Sequence, residues 1–172
     1  MDILEIIKNR RSVRKFTAQE IEEEKIEKIL EAGRWAPSGK NNQPWKFYLL
    51  KEKAKLSELA NLTVDAPIIK NATLCVCVFL DKNLMYDRTK DCQAIGACIQ
   101  NMLLEAHSLG ISSCWLGEIL KNKDKVNQLL NLSDRYELMA VVAFGYPAEK
   151  PKSTRKLFKE LVLNTNNTND SE

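Results

Sequence analysis

Apolar and polar positions follow different rhythms along this chain, and each rhythm predicts a different element. Ile3, Ile6 and Ile7 fall at helical spacing, which predicts a short helix over residues 2–9. Ile26, Ile29, Leu30 and Gly33 share one face at the same period. Thr17-Ala18-Gln19-Glu20 ahead of them has the form of a capping box, so a helix is expected to open there. Glu20, Glu22, Glu23 and Glu24 crowd its first turns, where the helix dipole favours negative charge. Leu74 to Leu80 is continuously apolar, the pattern of a strand buried on both faces. Glu137 to Tyr146 reads as a second strand of this kind, with shorter strands at Phe47–Leu50 and Ile111–Leu116 and further helices at 52–60 and 121–131.

Asp91 to Leu109 carries the strongest pattern. Cys92, Ile95, Ile99, Met102, Leu103 and Ala106 repeat at helical spacing, and Ala94, Gly96, Ala97 and Cys98 widen the apolar arc. A helix apolar over so much of its circumference is buried on more than one side, in a core or at a subunit interface. Gly110 supplies its stop. Residues 36–45, with two prolines, a glycine and paired asparagines, form a loop. Helices and strands intermix without repeat or linker, so the class is α+β or α/β in one layered domain. That domain is expected over 1–163, followed by a frayed polar tail, 164–172, almost free of apolar residues.

Composition narrows the class. The 172 residues are 44% hydrophobic and 28% charged, the mix of a soluble globular domain rather than a fibrous or disordered chain. No run approaches the roughly 18 apolar residues of a membrane helix. Met1-Asp2-Ile3-Leu4-Glu5 lacks the apolar core of a signal peptide, so a cytoplasmic location is expected. Cys75, Cys77, Cys92, Cys98 and Cys114 are odd in number and sit among apolar neighbours, which favours buried thiols over disulfides. With no C-x-x-C pair and His107 as the single histidine, no metal site is expected.

The net charge of +3 conceals two clusters. Residues 8–15 hold five basic side chains and no acid, and residues 150–159 hold five more and no acid. Removing those ten leaves 16 basic against 23 acidic residues, a net of −7 for the rest of the chain. The distribution points to one localised anion site rather than a generally basic surface.

Four segments could carry chemistry, one of them Arg155-Lys156 in the second basic cluster, which could close around a phosphate held by the first cluster or be a solvated surface tail. Arg10-Arg11-Ser12-Val13-Arg14 offers paired planar donors and a hydroxyl that match phosphate oxygens, though a solvated basic turn or a nucleic-acid patch has the same composition. Ala36-Pro37-Ser38-Gly39-Lys40-Asn41-Asn42-Gln43-Pro44-Trp45 presents hydroxyl, amide and backbone donors suited to the edge of a planar heterocycle, or is simply a structural loop. Cys114-Trp115-Leu116-Gly117 ends a strand on a glycine that lets backbone approach a ligand, while Trp115 reads more readily as core. Gly-x-Gly-x-x-Gly, P-loop and Gly-x-Ser-x-Gly motifs are absent, and His107 is placed as a structural residue.

In order and spacing these segments resemble the FMN-dependent nitroreductase family over residues 2–161. The likeness rests on Arg10 to Phe16, on Ala36-Pro37-Ser38-Gly39 through Trp45, and on Asp91 to Asn101. It continues through Leu109-Gly110, Cys114 to Gly117, and Gly145-Tyr146-Pro147 before a basic tail. The resemblance implies a three-layer α+β fold with a mostly antiparallel central sheet, in an intertwined homodimer with FMN at the subunit interface. It implies that Arg10, Arg11, Ser12 and Arg14 hold the FMN phosphate and ribityl chain. Pro37, Ser38, Gly39, Asn41 and Gln43 would reach the flavin, partly across the interface, with the backbone of Leu116 and Gly117 near its reactive edge. Arg155, with Lys156, falls where the family's C-terminal basic residue meets the phosphate. NADH or NADPH would be the reductant and a nitroaromatic or quinone the acceptor, in ping-pong order with the chemistry on FMN. The chain is short between Asp81 and Asp91, where many members carry an inserted helical segment. Reductive dehalogenation, a flavin sensor, or a non-enzymatic anion- or nucleic-acid-binding module are the alternative readings.

Overall fold

The computed structural model describes residues 2–163. Trp45–Leu50 (β1), Leu74–Asp81 (β2), Ser112–Leu116 (β3) and Tyr136–Gly145 (β4) pair antiparallel in the order β1-β2-β4-β3. Ile3–Asn9 (α1), Glu23–Arg34 (α2), Lys53–Ala60 (α3), Ala66–Asn71 (α4), Arg88–Ser108 (α5) and Lys123–Leu129 (α6) make up the helices among the described residues. The architecture is the expected α+β sandwich of three layers.

The two central strands are apolar over most of their length, with Asp81 at the end of β2 and Glu137 near the start of β4, because each faces a helical layer on both sides. Cys75, Cys77 and Phe79 of β2 pack with α3, α4 and α6 through Leu56, Leu59, Ile69 and Val126. Leu74, Val76, Val78 and Leu80 pack on the other face with Ile26 and Ile29 of α2 and with Ile95, Ile99 and Met102 of α5. Strand β4 slips by one residue opposite Val78 and Phe79, leaving Met139 without a partner. Met139 and Ala140 consequently both lie on the α2/α5 side, and Leu138 joins the other core.

Helix α5 starts at Arg88, three residues ahead of the expected Asp91, because the Asp87 carboxylate accepts the Lys90 N–H at 3.0 Å and caps it. From Ala94 to His107 no residue is exposed. Gly110, at φ 77, ends the segment, and the Ile111 N–H bonds back to the Ala106 carbonyl at 2.8 Å.

Three expectations are corrected. Thr17 does not cap a helix. Its own N–H donates to the Tyr146 carbonyl at 2.9 Å, so the chain must first leave the sheet, and α2 opens only at Glu23. The predicted helix over 121–131 is a short 3-10 turn, Glu118–Asn122, followed by α6. Helix α4 was not predicted; Pro67 sits in its first turn, where a missing N–H costs nothing, and Ile68 and Ile69 fill the core. The expected polar tail, 164–172, lies outside the described residues. Four of the five free cysteines are buried as expected, and Cys92 is half-buried. Burial pushes the Cys77 and Cys98 thiols up to about 12, so neither is a thiolate at neutral pH.

Candidate functional site

The segment from Arg10 to Phe16 runs along the free edge of β3. Ser12 bridges Ser113 in parallel register, and the Val13 N–H donates to the Ser113 carbonyl at 3.0 Å. Buried Val13 and Phe16 anchor the segment, while Arg14 and Lys15 between them face outward. Phe16 crosses directly over Gly145, where a Cβ would stand 2.7 Å from the Phe16 Cβ, so only glycine fits. The chain after β4 returns beside it. The Ala148 N–H donates to the Lys15 carbonyl at 2.9 Å, and the Arg14 N–H donates to Glu149 Oε1 at 2.7 Å.

This pairing brings the two basic segments together. Arg10, Arg11, Ser12 and Arg14 line one side of a cavity of about 330 Å³, and Pro151, Lys152, Ser153 and Arg155 line the other. Among the described residues, none of these four arginines forms an ion pair with a carboxylate. Arg11 spends donors on the Lys8 carbonyl and, at 2.9 Å, on the Arg10 carbonyl; Arg155 bonds the Ser153 hydroxyl and, at 2.7 Å, the Thr154 carbonyl. These bonds orient the guanidiniums and leave their charge uncompensated. Burial, then repulsion from Arg155 and Arg11, holds the Arg10 pKa below its ordinary value. His107, in the last turn of α5, is pushed down by burial and by Arg10 and Arg11, so it is neutral at pH 7. The arrangement offers an anion several charge-assisted hydrogen bonds.

A second cavity, also about 330 Å³, lies between the 36–45 loop and α5. Pro37, Ser38 and Gly39 face Gln93, Ala94 and Ala97 across it, with Tyr86 and Lys90 at one end. The loop is held in an unusual shape. Lys40, Asn41 and Gln43 all have φ between 47 and 55, a left-handed conformation that side chains seldom adopt. Ser38 Oγ accepts the Gln43 N–H at 3.0 Å, and the Asn42 side-chain amide donates to buried Asp91. Gly39 lies against Tyr86, where a Cβ would run into the phenol hydroxyl.

Comparison with known proteins identifies the family of the chain. The nitroreductase family model matches residues 7–77 and 62–146. A protein from Methanothermobacter thermautotrophicus, assigned as an NADH dehydrogenase/NAD(P)H nitroreductase, is 35% identical over 161 residues, 92% of this chain and 83% of that one. The chain belongs to the nitroreductase family. A protein from Desulfovibrio desulfuricans, assigned as a nitroreductase and solved in complex with FMN, superposes with a TM-score of 0.93 at 40% identity, covering 96% of this chain and 97% of that one. The NADPH-flavin oxidoreductase of Vibrio harveyi is 27% identical over 95% of this chain and 73% of its own length.

The residues present fit a nitroreductase-family cofactor. Four guanidiniums without a carboxylate partner among the described residues converge with Ser12 as a dianionic phosphate monoester requires. The expected site residues divide between places. Arg10, Arg11, Ser12, Arg14 and Arg155 share the basic cavity, and Pro37, Ser38 and Gly39 share the second. The two cavities have no lining residue in common. Asn41 and Gln43 are exposed within the loop, and Lys156 is exposed beyond the basic cavity; none of the three lines either space. The Leu116 side chain is buried in the core, while Gly117 is exposed at the end of β3, and a Cβ there would meet nothing within 4 Å. Trp115, expected in the core, is instead 42% exposed beside Gly96 of α5. Sequence reading missed Tyr86, Lys90 and the Asn42–Asp91 clamp. The available signal was one aromatic residue in the short connection, 81–91, directly ahead of the long helix.

Among the described residues no helix is long and apolar enough to cross a membrane.

Proposed function

We propose that this protein is an FMN-dependent NAD(P)H oxidoreductase working in ping-pong order on a nitroaromatic or quinone acceptor. The observation that carries the reading is the convergence of Arg10, Arg11, Arg14 and Arg155, none with an acidic partner among the described residues, in a nitroreductase-family fold. When bound, FMN supplies the two-electron chemistry, the hydride coming from NADH or NADPH. The chain's own residues position and polarise. Arg10, Arg11, Ser12, Arg14 and Arg155, with Lys156 at the periphery, take the phosphate and ribityl chain. Backbone donors at Leu116 and Gly117 are assigned to the electron-rich edge of the ring. Pro37, Ser38, Gly39, Asn41 and Gln43 are assigned to the ring across a subunit boundary.

A homodimer supports this division of labour, because the two cavities lie apart within one chain. Helix α1 has no buried residue and exposes Ile3, Leu4 and Ile7. The last described segment exposes Leu157, Phe158, Leu161 and Leu163. Apolar surface of this extent is usually covered by a partner. The test is an absorption spectrum of the purified protein before and after anaerobic NADH. Flavin bands that bleach support the reading. A colourless protein that takes up no added FMN overturns it.

A further inference from the structure

Tyr86 lies outside the set of residues assigned to the flavin, at one end of the second cavity. Its ring is 38% exposed and carries two ammonium groups, Lys40 Nζ at 5.0 Å and Lys90 Nζ at 5.4 Å from its centroid. The lysines come from different elements, Lys40 from the loop and Lys90 from the first turn of α5. Lys40 has φ 55, a conformation glycine or asparagine adopts more readily. The turn around it is fixed by Gly39 against Tyr86 and by Asn42 on Asp91, and it sets the ammonium over the Tyr86 ring, which lines one end of the second cavity.

That end is cationic. Lys40 has no carboxylate partner among the described residues, and Lys90 has only the Asp87 carboxylate, at 3.9 Å, beyond hydrogen-bond length. The other nearby acid, Asp91, is buried and turned inward, accepting from Asn42 Nδ2, the Tyr86 N–H and the Asp87 N–H. The walls are mostly apolar, from Pro37, Ala94 and Ala97, with the Gln93 amide and Ser38 as polar points. A cavity of about 330 Å³ has room for one substituted ring. Lysines resting on an aromatic face are loosely held and exchange readily onto a stronger anion.

We propose that Lys40, Tyr86 and Lys90 make this enzyme select aromatic acids as electron acceptors, a nitroaromatic or quinone bearing a carboxylate or sulfonate. The inference rests on the oxidoreductase reading. The ring packs on the alanines and Tyr86, and its anionic substituent takes the two ammonium groups. The substituent is unchanged by turnover: a nitro group, one NAD(P)H and one proton give a nitroso group, NAD(P)⁺ and water.

The test compares 4-nitrobenzoate with neutral, nearly isosteric 4-nitrobenzamide, using the FMN-loaded enzyme and NADH. The readout is the ratio of their kcat/KM values, in which intrinsic reactivity cancels between variants. Lys40→Asn, chosen to tolerate the left-handed turn, and Lys90→Gln each lower the ratio about 3-fold, and the double variant lowers it roughly 10-fold. High salt lowers the wild-type ratio towards that of the double variant. An unchanged ratio in the double variant overturns the proposal. So does a loss confined to KM for NADPH relative to NADH, which would assign the lysines to the 2′-phosphate. If NADH fails to bleach bound flavin, the oxidoreductase reading falls by itself. Calorimetric titration of 4-nitrobenzoate then decides: roughly 10-fold weaker binding by the double variant supports the site, and equal affinity overturns it.

Discussion

The side-chain amide of Asn42 donates to Asp91 Oδ1 at 2.6 Å, and this bond ties the left-handed loop to the start of α5. Asp91 is fully buried, and its second oxygen accepts the Tyr86 and Asp87 N–H groups at 3.0 and 3.2 Å. One carboxylate therefore fixes both walls of the second cavity.

Replacing Asp91 with alanine leaves the Tyr86 and Asp87 N–H groups without an acceptor and strands one N–H of the Asn42 amide, whose other bond goes to the Leu84 carbonyl at 3.0 Å. The expected cost is roughly 3 kcal/mol of folding stability, since each unsatisfied donor costs on the order of 1 kcal/mol or more. Urea unfolding of Asp91→Ala measures it. Asn42→Ala should cost less, because it removes one donor and leaves the two backbone bonds intact.

Gly39→Ala drives a methyl group into the Tyr86 ring, and the ring must swing away. The expected loss is about 1 kcal/mol together with an altered acceptor preference. Adding Tyr86→Ala to the same chain should recover most of the stability. A double-mutant cycle in thermal unfolding shows this as a coupling between the two positions.

Arg10 is strained electrostatically by burial and by Arg155 and Arg11, yet it is assigned to the phosphate. Arg10→Met should therefore leave the melting temperature of flavin-free protein unchanged or slightly higher. The same change should weaken FMN roughly 10- to 100-fold, the worth of a hydrogen bond to a charged group. Calorimetry and melting curves on one preparation report both, and a loss in both would contradict the argument.

The buried Asp81 carboxylate accepts two bonds from Arg135, from Nε and Nη2, each at 2.7 Å. Arg135 holds the Asp81 pKa below its ordinary 3.8, against the opposing effect of burial. A depressed folded pKa contributes stability above about 3.8 that is lost as the pH falls through the folded value. Arg135→Met removes the partner and leaves burial in control, so the Asp81 pKa rises. The acid limb of a stability-against-pH curve should then move up by about one pH unit or more.

The sheet and the long helix were legible because burial writes itself into period and composition. Leu74–Leu80 could hardly be anything but a central strand, and Ala94–His107 needed cover on most of its surface. The meeting of the two basic clusters was also anticipated, since like charges set apart from a net acidic remainder point to one place. What escaped were features made by contact rather than pattern. Thr17 has the residues of a cap, but its N–H is committed to Tyr146. Tyr86 shows no periodicity, and its importance comes from Gly39 and two lysines that the fold brings to it. Asp91 looked like a helix start, whereas Asp87 caps the helix and Asp91 turns inward. The Pro37 loop was expected to reach the cofactor partly across a subunit interface, and within a single chain it and the arginine cavity open separately.

The unpartnered Met139 gives β4 a change of phase. Side chains alternate strictly along a strand, so one extra residue interchanges inside and outside for everything before it unless it shares a side with its neighbour. Tyr136 and Leu138 face the core beneath α6 because Met139 and Ala140 share the opposite side, while Val142 and Phe144 serve α5 in the ordinary alternation. Position 139 can therefore be skipped without reversing the strand. Deleting it would set Leu138 directly beside Ala140 in regular alternation, opposite Phe79 and Val78 as now, and keep Leu138 in the core beneath α6.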